Sequence, residues 1–255
     1  MTFDFSKEII TYKDPDMSDE AISFYQLYFP DQAKDIGTDS KNTQLEMRGE
    51  TMCSLGWTFG IVNKKDDFVS VRSYTNDMTV DEIDKFYVFR KQFHSLANFC
   101  VIPRILNVWR GSFRGNGRSQ GDYFDIFLNL IRDYYYKKLI PSNVQEIFNI
   151  CKDWFSYYGI GFTGWKCFID SNYLNPFVNT DYTVKHLFAN PEDFIKEKGA
   201  PIVGSNHELY HPFPWGKAAS KQCAMNFCNN SLYVWEQRTK LLQDNLKTVS
   251  ISRQP

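Results

Sequence analysis

The chain has 255 residues, 43% hydrophobic and 17% aromatic, which supports a sizeable core and excludes an intrinsically disordered protein. Its formal net charge of −1 excludes a molecule drawn as a whole onto nucleic acid or a membrane, so any basic function is local. No run approaches the roughly 18 apolar residues of a membrane-spanning helix, so no membrane partner is expected.

Taken in order, MTFDFSKEII has neither the basic start nor the apolar run of a signal peptide. Six cysteines without a C-x-x-C pair read as buried or free thiols, and a cytoplasmic protein is expected. Residues 1–40 carry nine acids against three lysines. Lys13-Asp14-Pro15-Asp16 is a turn, and Ser18 then N-caps a short helix with Asp19 and Glu20 at its positive end. Residues 30–43 read as a polar loop. Leu55, Trp57, Phe59 and Ile61 alternate with smaller residues, the period of a strand, and Phe68 to Tyr74 is a returning strand, so a β-hairpin is expected there.

From Thr79 the period becomes helical through Val80, Ile83, Phe86, Phe89, Phe93 and Leu96, with Glu82 at the capping-box position and an end near Asn98. A loop with four arginines and four glycines follows Ile102-Pro103. Phe124, Phe127, Leu128, Ile131 and Tyr135 mark the next helix. Pro141-Ser142 opens a third, with a face from Val144 to Tyr158, and Trp165–Tyr173 reads as a further short helix. Residues 175–216 form a long irregular excursion with one short helix at Pro191–Lys198. The closing helix runs from Ala218 to Lys247. The expected fold is mainly α: a single domain with an acidic segment and small β-hairpin element over 1–78, a helical core over 79–174, an excursion over 175–217 and a C-terminal helix over 218–247.

Four features carry candidate chemistry. Arg104, Arg110, Arg114 and Arg118 lie among Gly111, Gly115, Gly117 and Gly121. Glycines let backbone approach a ligand while guanidinium groups fork onto phosphate oxygens, so segment 104–121 is the expected holder of a phosphate-bearing ligand, nucleotide or nucleic acid. Neither standard nucleotide loop is matched. The alternative is that these arginines pair with the acidic N-terminal region. The second feature is His94-Ser95-Leu96-Ala97-Asn98, followed by Asn107 and Arg110-Gly111. It resembles the HSLGNL box of HNH-type nucleases, which adds His94, Asn98 and Asn107 to the ligand-binding candidates. Those enzymes carry an upstream histidine box, whereas His94 is the first histidine here. The third is His207-Glu208-Leu209-Tyr210-His211, a literal H-E-x-x-H. On a helix that spacing presents His207 and His211 to zinc, with Glu208 as base and Glu236 as a third ligand, the set of a zinc-dependent hydrolase. Pro212 right after the second histidine leaves room for only a short helix, so ordinary loop histidines are the alternative. The last feature, aromatics such as Tyr134-Tyr135-Tyr136, has the spacing of core packing or of base stacking.

Phe3-Asp4-Phe5, Lys13-Asp14-Pro15-Asp16, Asn98-Phe99-x-x-Ile102-Pro103 and Arg110-Gly111 occur in that order. They lead into Asp122-x-x-Asp125-x-x-Leu128-x-x-Ile131-Arg132-x-x-Tyr135. Together they resemble an uncharacterised family of bacterial cytoplasmic proteins, which implies source and compartment but no chemistry. A non-enzymatic interaction or regulatory module stands as a third functional reading.

Overall fold

The computed structural model describes residues 3–11, 14–33, 36, 46–53, 78–112, 123–196 and 221–252. The described residues are mainly helical with one small antiparallel β pair, the fold class expected from the sequence. Helix α1 (Asp19–Tyr28) is capped by Ser18, whose side chain accepts the Ala21 amide, and the one-turn α2 (Pro30–Ala33) follows. Strand β1 spans Met47–Thr51. Helix α3 (Val80–Gln92) opens on a complete capping box: Thr79 Oγ1 accepts from Glu82 N at 3.3 Å, and Thr79 N donates to Glu82 Oε2 at 2.7 Å.

α3 stops before the expected Asn98, because the Asn98 amide turns back and donates to the Phe93 carbonyl at 2.7 Å. A 3-10 turn over Leu96–Asn98 then delivers the chain into β2 (Phe99–Pro103). All five residues of β2 are buried, so its sequence is a continuous apolar run with no alternation to mark a strand. β2 pairs antiparallel with β1, from Met47 opposite Pro103 to Thr51 opposite Phe99. The described β pair is therefore built from segments far apart in the chain. The proposed hairpin strands at 55–61 and 68–74 lie outside the described residues.

Helix α4 (Arg104–Ser112) follows at once, where the sequence suggested a loop. Helix α5 (Phe124–Tyr135) is buried along most of its length. The helix expected from Ser142 is two, α6 (Ser142–Ile150) and α7 (Lys152–Tyr157), with Cys151 between. A straight helix sets residues seven apart about 10.5 Å along its axis. The break brings the rings of Phe148 and Phe155 to 5.1 Å and lets both pack on Tyr134. Helix α8 (Gly161–Ser171) leans on the turn before it: a Cβ on Gly164 would lie 2.6 Å from the Gly159 carbonyl carbon, so only glycine permits this approach. From the excursion the structure describes a 3-10 turn at Asn175–Phe177, a bridge between Val178 and Val184 and the short α9 (Pro191–Ile195).

The spine is α10 (Lys221–Ser252), about 48 Å long at 1.5 Å per residue. Its buried stripe runs through Ala224, Phe227, Cys228, Ser231, Val234, Trp235, Arg238 and Leu242. Phe89 of α3 stacks on Trp235 with ring centroids 4.8 Å apart. Arg238, fully buried, donates to the carbonyls of Ala97 (2.8 Å), Phe99 (2.6 Å), Tyr173 (3.2 Å) and Asn172 (3.3 Å). One guanidinium thus ties the spine to the start of β2 and to the end of α8. Burial pushes its pKa down to about 10, which still leaves it charged at neutral pH.

Candidate functional site

The described members of the arginine segment do not converge. Arg104 and Arg110 stand six residues apart on α4, so they point about 120° apart around its axis. Arg104 reaches out to Glu46, Nη1 to Oε2 at 2.9 Å, and Arg48 takes the other oxygen of the same carboxylate at 2.7 Å. Arg110 is buried, its guanidinium carbon 5.3 Å and 5.0 Å from the ring centres of Phe124 and Phe127. Asn107 is half-buried on the same helix. Arg114 and Arg118 lie outside the described residues.

Asn98 is a structural hub. Its Oδ1 accepts from Cys53 N at 2.9 Å and Trp235 Nε1 at 2.8 Å, and its Nδ2 donates to the carbonyls of Cys53 and Phe93. Its hydrogen-bonding capacity goes to joining the β1 exit to the spine. Burial pushes the His94 pKa down to about 4, against the opposing pull of Asp14, so its ring is neutral at pH 7. Glu236 sits on the exposed face of α10 and pairs with Lys240 at 2.7 Å. His207, Glu208 and His211 lie outside the described residues, among which no group of three His, Cys, Asp or Glu side chains is placed to hold a metal.

Sequence reasoning passed over a buried acid–histidine contact. Asp125 Oδ2 accepts the Leu187 amide at 3.1 Å and lies 3.2 Å from His186 Nδ1. Asn226 and Asn230 of α10 hold the carbonyls of Leu187, Phe188 and Ala189 from the other side. These contacts anchor the excursion to the helical core. The thiols of Cys53, Cys100 and Cys228 are buried, and burial pushes each up to about 12, so none is a thiolate nucleophile at neutral pH.

A different place has the geometry of a binding site. The end of α5, the facing sides of α6 and α7 and the turn into α8 enclose a cleft of about 400 Å³. Lys137, Lys138 and Lys152 line it, and no carboxylate does among the described residues. Lys138 shares a 3.6 Å contact with Asp133, while Lys137 and Lys152 enter no ion pair among the described residues. Tyr134 and Phe155, ring centroids 4.8 Å apart, supply an aromatic wall. Burial raises the Tyr134 pKa further, so its hydroxyl is protonated at neutral pH. At the lip, Ile160 is the extended N-cap of α8 and brings no side-chain acceptor to the amides of the first turn. Such amides lack intrahelical partners and favour negative charge.

Lys137 occupies this cleft at a conformational cost. The amides of Lys137 and Lys138 close α5 on the carbonyls of Tyr134 (3.0 Å) and Asp133 (2.9 Å), a Schellman ending. That motif places Lys137 at φ 54°, where glycine is the usual residue. Lys137→Gly is therefore expected to raise the urea-unfolding free energy by about 0.5–1 kcal/mol. The same change is expected to weaken anion binding in calorimetric titration.

No family model, curated protein or solved structure matches this chain.

Proposed function

We propose that this protein binds a phosphate-bearing small ligand in the cleft between α5, α6, α7 and the start of α8. The observation that carries the reading is a concavity lined by Lys137, Lys138 and Lys152 without a carboxylate among the described residues. Three lysines around one concavity give it a local positive field that favours an anion. The first-turn amides of α8 add donors of the same sign. The size falls within the range of small-molecule sites, roughly 300–1,000 Å³. The phosphate expected at segment 104–121 is moved here because Arg104 is engaged by Glu46 and Arg110 lies on another face of α4.

The proposal is one of binding and assigns no catalytic role to the residues that line the cleft. A cytoplasmic setting goes with it, supported by the unpaired thiols of Cys53, Cys100, Cys151 and Cys228. No helix is long and apolar enough to cross a membrane among the described residues.

Calorimetric titration with inorganic pyrophosphate at low ionic strength tests the reading. The wild type is expected to bind and to gain thermal stability. The Lys137→Gln/Lys152→Gln double variant, confirmed as folded by circular dichroism, is expected to bind about tenfold more weakly, equivalent to about 1.4 kcal/mol. Equal affinity in the two proteins overturns the assignment.

A further inference from the structure

Resting on the phosphate reading, we infer that the ligand is a mononucleotide whose base is recognised by an amide pair on α6, Gln145 and Asn149. The two residues are four apart, on one helix face, and both line the cleft. Gln145 Nε2 donates to Asn149 Oδ1 at 2.9 Å, which fixes both amides relative to each other. That bond leaves each amide with an unused oxygen lone pair and an unused N–H, an acceptor and a donor on one planar group. A side-by-side acceptor and donor is the complement of a nucleobase edge, the reason asparagine and glutamine read bases elsewhere. Phosphate offers chiefly acceptors, and a sugar phosphate has hydroxyls but no planar edge.

Two further features of the same cleft agree. Tyr134, half-buried at the cleft and backed by the buried ring of Phe155, offers an aromatic edge or face to a planar base. Among the described residues the cations lining the cleft are Lys137, Lys138 and Lys152, enough for the phosphates of one nucleotide, whereas a polynucleotide site tracks the backbone with a longer basic groove. With a net charge of −1 for the whole chain, a single nucleotide is the ligand that fits this local field.

The test compares inorganic pyrophosphate, ribose 5-phosphate, the four nucleoside monophosphates and a single-stranded RNA homopolymer by calorimetry. It uses wild type and Asn149→Leu; Asn149 is exposed, so the variant is expected to fold. At least one nucleoside monophosphate is expected to bind about tenfold more tightly than ribose 5-phosphate, and Asn149→Leu to abolish that margin without changing pyrophosphate affinity. Equal binding of ribose 5-phosphate and all four nucleotides overturns the inference and leaves the phosphate reading standing. RNA binding without mononucleotide binding overturns it in favour of a polynucleotide. If pyrophosphate also fails to bind, the inference and the phosphate reading fall together.

Discussion

Arg238→Met is expected to lower the unfolding free energy by about 3–5 kcal/mol, a large part of the roughly 5–15 kcal/mol that holds a domain of this kind together. The substitution keeps most of the volume in the α10 stripe and removes the donors that serve Ala97, Phe99, Asn172 and Tyr173. Each buried carbonyl left without a donor costs about 1–3 kcal/mol, partly offset because a buried cation no longer has to be desolvated. Arg238→Lys keeps the charge but cannot span the same carbonyls with its compact ammonium, so an intermediate loss is expected. Urea unfolding reads both, as a lower midpoint at unchanged slope. A midpoint for Arg238→Met within about 0.5 kcal/mol of wild type shows that the guanidinium is not what joins the spine to β2.

Stability is also expected to fall as pH rises from 6.5 to 8, by about 2 kcal/mol, because of Asp16. Its pKa is raised to about 8 by burial first and by the hydrogen bond and charge of Asp14 next, with Thr51 acting in the opposite direction. The folded chain keeps this proton up to about pH 8, while the unfolded chain releases it near the ordinary aspartate value of 3.8. Its stabilising contribution is therefore present at low pH and is lost as pH climbs through the folded value. His94 works oppositely: folded near 4 and unfolded at 6.5, it removes about 3 kcal/mol as pH falls between those values. The two slopes offset each other from about pH 4 to 6.5, and above that the slope of Asp16 is no longer opposed by His94. Asp16→Asn is expected to flatten the stability profile from pH 6.5 to 8. His94→Gln is expected to extend the decline across pH 4 to 8. Urea midpoints at half-unit intervals of pH measure both, and a wild-type slope retained in Asp16→Asn removes Asp16 as the cause.

Much of the helical framework was legible because its signals are local. The Thr79–Glu82 capping box and the Ser18 cap depend on residues within one turn of each other, and both form as their spacing implies. β2 was not legible: Phe-Cys-Val-Ile-Pro is apolar at every position, and only its pairing with β1 distinguishes a strand from a helix. The candidate site was harder still. Arg104 and Arg110 of segment 104–121 are close in sequence yet lie on different faces of α4, while Arg114 and Arg118 lie outside the described residues. Lys137, Gln145, Lys152 and Gly161 have no motif spacing and share a cleft because four helices end or turn beside one another.

By itself the sequence determined the class of the fold and the starts of α1 and α3, since caps and periodicity act over one or two turns. Only the tertiary structure decided that Arg238 is buried among carbonyls, that Asn98 joins the β1 exit to the spine and that lysines from separate elements face one cavity. A cation's role depends on what surrounds it, and those surroundings come from residues that folding alone brings within reach.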